Sequence, residues 1–163
     1  MAMAHFNVED IKIRLTREST GLEVDQIQTW LREYNWSENR EFLERVTDPN
    51  YAAQKLILFA EVTGEVETAP QLIGGLIAET QLSWLRVSIM ATDPEWRSRG
   101  IGKALLSEAE RIAVGRGCRY SYVDTMSYQA PSFYEANGYS RVGTIPDWDS
   151  HGHAKMFFVK EID

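Results

Sequence analysis

Apolar and polar positions change their period several times along this chain, and each change marks a predicted element. In residues 10–17, DIKIRLTR, Ile11, Ile13 and Leu15 alternate with Lys12, Arg14 and Thr16, which predicts a half-buried strand. Thr20 and Glu23 have capping-box spacing, and Val24, Ile27, Trp30, Leu31 and Tyr34 then recur at helical intervals. A second short helix is predicted from Ser37 to Val46, ending before Asp48-Pro49. Residues 55–62 and 72–78 read as two apolar strands of an antiparallel hairpin. Gly74-Gly75 in the second marks a bulge or the close approach of another backbone.

Trp84–Ala91 is the next strand and runs into a turn, ATDPEWRSRGIGK, at residues 91–103. The helix after it carries Ile101, Leu105, Ala109 and Ile112 on one face, and Lys103, Ser107, Glu110 and Arg111 opposite. Gly115 and Gly117 stop that helix, and residues 118–124 return to strand, giving one right-handed crossover of parallel strands. Pro131 opens a short helix closed by Asn137-Gly138, and residues 139–144 and 154–160 form two last strands. The sum is an α+β chain with a mixed, mostly antiparallel sheet flanked by helices, read as one domain over 1–163.

Arg97, Gly100 and Gly102 give the turn its chemistry. Glycine lets the backbone turn tightly and approach a ligand, and a helix N-terminus offers unpaired N–H groups and a positive dipole end to a phosphate. A dinucleotide fold would place such a turn in the first of many βα units, and the spacing fits neither G-x-G-x-x-G nor the nucleotide-triphosphate loop. NAD, FAD and ATP are therefore poor fits.

Composition narrows the picture further. Seventeen Lys and Arg against 24 Asp and Glu leave a net charge of −7, and no basic stripe lies outside the turn, so nucleic acid is not expected as a partner. No apolar run reaches the length of a membrane span, and the N-terminus lacks a signal-peptide pattern, so a cytoplasmic protein is expected. The single cysteine, Cys118, permits no intrachain disulfide and reads as a small buried residue at a strand start.

Strand, glycine turn and amphipathic helix together resemble the acetyl-CoA-binding motif of the GNAT superfamily of N-acetyltransferases, whose pattern is Arg/Gln-x-x-Gly-x-Gly/Ala. A second signature follows in APSFYEANGY, residues 130–139, and the wider run DTMSYQAPSFYEANGY is similar to a bacterial subgroup with a Ser-x-Gln-Ala-Pro-x-Phe-Tyr sequence. The resemblance covers roughly residues 71–160 and implies acetyl-CoA as co-substrate, no metal, a splay between the two parallel central strands, and a small-molecule or peptide amine as acceptor. A homodimer is compatible with it. It implies that Met90, Ala91 and Thr92 bind the pantetheine arm through their backbone. Arg97, Ser98, Arg99, Gly100, Ile101, Gly102 and Lys103 then wrap the pyrophosphate, unless Arg97 braces the turn instead. Where many relatives carry an Asn on the cofactor arm this chain has Ser127, with Gln129 as a substitute.

The same resemblance puts Tyr134 in the role of general acid for the leaving thiolate. The base is left between Glu79 and Asp124. Asp147 and His153 in the loop IPDWDSHGH are candidates for shaping the acceptor site, and His151 and His153 could titrate near neutral pH. Trp30 and Tyr34 are read as core. A cofactor-binding sensor or interaction module without turnover is the alternative.

Overall fold

The structure is a computed structural model and describes residues 12–17, 20–63 and 69–163. Its chain divides into two compact units, Met1–Thr47 and Asp48–Asp163. The first holds two helices, α1 (Leu22–Glu38) and α2 (Arg40–Thr47), which meet at Asn39. No residue of either helix is buried, and Trp30 and Tyr34 are 62% and 63% exposed, so the core reading of that stripe does not hold. Helical spacing records a stripe, not what covers it.

Two further expectations fail in this unit. Residues 12–17 join no strand ladder, and Ile13 and Leu15 are almost fully exposed; residues 10 and 11 lie outside the described residues. Nor does Thr20-x-x-Glu23 form a capping box. Gly21 is the N-cap of α1, with no side-chain bond, and the Glu23 carboxylate is drawn instead to the Arg14 guanidinium. A charge pair outcompetes a neutral cap for the same carboxylate.

In the second unit six strands form one sheet: β1 (Gln54–Val62), β2 (Gln71–Gln81), β3 (Trp84–Thr92), β4 (Tyr120–Met126), β5 (Ser140–Ile145) and β6 (Lys155–Glu161). Their order is β1-β2-β3-β4-β6-β5, antiparallel throughout except for the parallel pair β3–β4. α3 (Ile101–Gly115) makes the crossover between that pair and lies against β1, β2 and β3. It buries Leu105, Leu106, Ala109 and Ala113 with Leu56, Leu76, Leu85, Val87 and Phe158 in one continuous core. Its C-terminus is closed by Gly117 at φ 85°, with Cys118 N–H donating to Ala113 O at 2.9 Å. α4 (Pro131–Ala136) is a short helix between β4 and β5.

Two details of the sheet prepare the site. Both readings of Gly74-Gly75 hold: the β1–β2 register shifts beside Gly74, and a Cβ on Gly74 would lie 3.1 Å from both Ala91 O and Ile101 Cγ2. Gly74 thus lets the end of β3 and the start of α3 close over β2. On the opposite side, β3 and β4 pair only from Trp84–Val87 to Tyr120–Val123. Beyond Val87 and Val123 the strands part, which is the predicted splay.

Candidate active site

The cleft, of about 880 Å³, opens where β3 and β4 part. Its walls are Ser88–Thr92 on one side and Asp124–Thr125 on the other. Ser88 stands at a bulge, because the β2–β3 register passes from Ile77↔Ile89 to Ala78↔Val87. In an antiparallel ladder alternate residues bond to one neighbour and the rest point away from it. With β4 withdrawn, the outward N–H and C=O groups of Ser88–Thr92 face the cleft, an arrangement that is costly unless a ligand or water meets them.

At the end of β3 the chain turns through Pro94–Trp96, a single helical turn capped by the Asp93 side chain, which accepts from Glu95 N–H at 2.8 Å. Ser98 and Gly100 both take positive φ, 60° and 81°, and Gly100 is the N-cap of α3. No side chain caps that end. The first intrahelical bond runs from Ala104 N–H to Gly100 O, so the N–H groups of Ile101, Gly102 and Lys103 remain free for an anion. Arg97, Ser98 and Lys103 line the cleft here. Arg97 Nε also reaches Thr92 O at 3.5 Å, bracing the turn, whereas the Arg99 guanidinium lies 4.8 Å over the Trp96 ring and is not part of the lining.

α4 brings the second motif against the first. The Phe133 ring lies 3.5 Å from where a Cβ of Gly102 would stand. Tyr134, next in sequence, is buried, with its ring against Phe133, Tyr139 and Phe158. The residue lines the cleft, and its hydroxyl has no hydrogen bond to another described residue. Burial pushes this phenol above its ordinary value, and the nearby Asp124 carboxylate adds to the effect. Tyr134 therefore stays protonated at neutral pH, as a proton donor must.

The other predicted residues divide. Met90, Ala91 and Thr92 line the cleft, as does Gln129. The Gln129 Oε1 accepts from Thr125 Oγ1 at 2.9 Å and Met126 N–H at 2.8 Å, which fixes the carboxamide at the end of β4. Ser127 is outside the lining and is engaged with Ala154, N–H to O at 2.8 Å and Oγ accepting from N–H at 3.1 Å. Glu79 is also outside it and lies 3.6 Å from Arg86. Asp124 is inside; its Oδ2 is 2.8 Å from Lys155 Nζ, and its Oδ1 accepts from Tyr122 OH at 3.1 Å.

The loop over 146–153 is wound on its own carboxylates. Asp147 accepts from Gly152 N–H at 2.7 Å. Asp149 accepts from His151 and His153 N–H and meets His153 Nδ1 at 2.6 Å. Partial burial works against ionising Asp149, but these hydrogen bonds hold its carboxyl below the ordinary range. Neither Asp147 nor His153 lines the cleft; His153 stands edge-on to Tyr128, at 4.9 Å, and Tyr128 does line it. Tyr128 and Ser88 are cleft residues that no motif specifies, and Thr125, inside the run DTMSYQAP, takes no role from the resemblance. The signal they share in the sequence is position, at or beside the ends of the parting strands.

Among the described residues no group of three or more His, Cys, Asp or Glu is placed to hold a metal ion, and no helix is long and apolar enough to cross a membrane. Cys118 is buried, and burial raises its thiol, which fits packing rather than nucleophilic chemistry.

The six-stranded mixed sheet with flanking helices is the fold of solved acetyltransferases. The chain superposes on an acetyltransferase from Bacillus cereus at a TM-score of 0.67 and 29% identity, over 91% of this chain and 98% of that one. It shares the fold of an aminoglycoside 6'-N-acetyltransferase solved with coenzyme A, at a TM-score of 0.58 and 19% identity over 83% and 86% of the two chains. The acetyltransferase (GNAT) domain matches residues 53–141, more than half of the sequence, and the chain belongs to that family. It is also 38% identical to blasticidin-S acetyltransferase of Streptomyces morookaense over 93 residues, 56% of this chain and 68% of that protein.

Proposed function

We propose that this protein transfers an acetyl group from acetyl-CoA to a primary amine of a small molecule or peptide. The observation that carries the reading is the convergence, in one cleft, of the free N–H groups of α3, the unpaired edge of β3 and the unpartnered Tyr134 hydroxyl. Ile101, Gly102 and Lys103 hold the pyrophosphate, with Arg97 and Lys103 adding charge. Met90, Ala91 and Thr92 hydrogen-bond the pantetheine arm as an added strand would, and Gln129 offers its NH₂ from the other wall. Backbone N–H groups near the Ser88 bulge polarise the thioester carbonyl as negative charge develops on it.

Attack requires a neutral amine, and a lysine-like amine of pKa about 10.4 costs roughly 4–5 kcal/mol to deprotonate at pH 7. Asp124 is the better supported of the two base candidates, because it lines the cleft with Tyr134 while Glu79 does not. As the C–S bond breaks, Tyr134 gives its proton to the leaving sulfur. From an ordinary phenol of pKa about 10 to a thiol of about 8.5 this is uphill by about 2 kcal/mol, and the raised Tyr134 phenol adds to that cost, so the proton moves in concert with C–S cleavage. The antibiotic acetyltransferases among the relatives support a small-molecule amine as acceptor.

The test is release of free CoA thiol from acetyl-CoA with a panel of polyamines, amine-bearing antibiotics and basic peptides. Turnover with at least one amine and mass gain on that amine is expected. Binding of acetyl-CoA without transfer to any of them would instead make the chain a cofactor-binding module.

A further inference from the structure

Asp124 is the one carboxylate among the described residues that line the cleft, and the protein fastens it from two sides. Tyr122 OH donates to Oδ1 at 3.1 Å, and Lys155 Nζ donates to Oδ2 at 2.8 Å. The Lys155 ammonium is itself held. It lies 4.8 Å from the Trp148 ring centroid and 5.9 Å from that of Phe157, within cation–π reach of both. Tyr122 stacks on the same Phe157 ring, with centroids 6.4 Å apart and planes 15° from parallel. The Lys155 backbone is pinned as well, paired with Met126 of β4 on one side and Ile145 of β5 on the other. With its ends fixed and its side chain three-quarters buried, Lys155 has little freedom to leave.

An ionised carboxylate has about four lone-pair positions, and these two donors use two of them. Both come from β4 and β6, which leaves lone pairs of this cleft-lining carboxylate for a ligand. We infer that Lys155 is a positioning residue: seated on Trp148 and Phe157, it holds Asp124 so that the carboxylate's free lone pairs face the acceptor amine. Tyr122 sets the second oxygen in the same way. This rests on the acetyl-transfer reading above, and it assigns to Lys155 and Tyr122 a part in aligning the amine opposite Tyr134. Misplacement of a reacting group by about 1 Å can slow a reaction on the order of a hundredfold.

The experiment compares Lys155→Met, Lys155→Arg and Lys155→Ala with the parent enzyme. Lys155→Met is expected to lower kcat about tenfold or more with the KM for acetyl-CoA unchanged, and Lys155→Arg to restore most of the loss. Trimethylammonium, which keeps an N–H for Asp124 and cannot become an amide, is expected to recover part of the rate of Lys155→Ala. Tyr122→Phe leaves the lysine in place and is expected to cause a smaller fall in the same direction. A Lys155→Met enzyme as fast as the parent overturns the inference, as does a slow one that neither arginine nor trimethylammonium improves. A crystal structure of Lys155→Met separates this inference from the reading beneath it. If the parent transfers acetyl to no amine, the acetyl-transfer reading fails, and the Asp124 rotamer alone decides the positioning role. An unmoved carboxylate overturns that role and a displaced one upholds it.

Discussion

At the residue scale the protein separates two tyrosines that the sequence sets five positions apart. Tyr134 lines the cleft with its hydroxyl bonded to no other described residue, whereas the Tyr139 hydroxyl is enclosed, 2.7 Å from Ser121 Oγ and donating to Glu110 Oε1 at 2.9 Å. Lys160 Nζ completes the cluster on Glu110 Oε2 at 2.7 Å. Tyr134→Phe removes a proton donor and little packing, so kcat should fall well over tenfold with acetyl-CoA affinity nearly unchanged, read from steady-state kinetics and calorimetry; near-normal turnover would remove the role. Because burial and Asp124 both raise this phenol, its phenolate band should be missing below about pH 10 in ultraviolet difference spectra of the parent against Tyr134→Phe. Tyr139→Phe acts differently. It strips the fully buried Ser121 hydroxyl of its partner and should cost about 1–3 kcal/mol, seen as a lower Tm, with the KM for acetyl-CoA unchanged. The sequence pointed to Tyr134 through its motif, but placed Glu110 on the outer face of its helix. Helical spacing could not show that β6 brings Lys160, and β5's approach brings Tyr139, to that flank.

At the element scale, the strands and helices from Gln54 onward lie close to where periodicity placed them, because most have a neighbour that buries one face and β5, which buries none, is held by its ladder to β6. β1 shows the rule: Leu56, Leu58 and Ala60 turn toward α3, while Ile57 and Phe59 between them are exposed. Residues 12–17 have the same alternation and no ladder, so pattern without a partner did not make a strand. The site was legible to a similar degree. Turn and cleft-facing tyrosine followed from local motifs, whereas the fates of Glu79, Ser127, Asp147 and His153 depended on contacts with Arg86, Ala154, Gly152 and Asp149 that no spacing announces. Gly74 joins these elements, since a larger side chain there meets both Ala91 and Ile101. Gly74→Val should cost about 1–3 kcal/mol by overpacking, and part of it should appear as an acetyl-CoA Kd raised about fivefold or more. Thermal melts with and without ligand would measure both; an unchanged Kd would uncouple Gly74 from the turn.

For the whole molecule, a net charge of −7 surrounds a turn whose cleft-lining ionic groups, Arg97 and Lys103, are cationic. Such a field would draw the proposed amine acceptor, if protonated in solution, toward the protein and would leave capture of the proposed anionic cofactor to short-range contacts at the helix end. Acetyl-CoA and CoA should therefore raise the Tm, while ATP and NAD at equal concentration should not. At one hundred times Kd the gain is about 2.7 kcal/mol, readable by differential scanning fluorimetry. Equal stabilisation by ATP would reassign the turn to another nucleotide.

The short β3–β4 ladder also gives the protein a built-in reporter. Its four paired positions end at Val87 and Val123, so the outward amides from Ser88 to Thr92 lack the protection a complete sheet would confer. In the free protein they should exchange with deuterated solvent far faster than their neighbours bonded to β2. A pantetheine arm lying along that edge would slow them as a fourth dimension of evidence beside affinity, rate and melting point: occupancy could be followed amide by amide, before any acceptor is found.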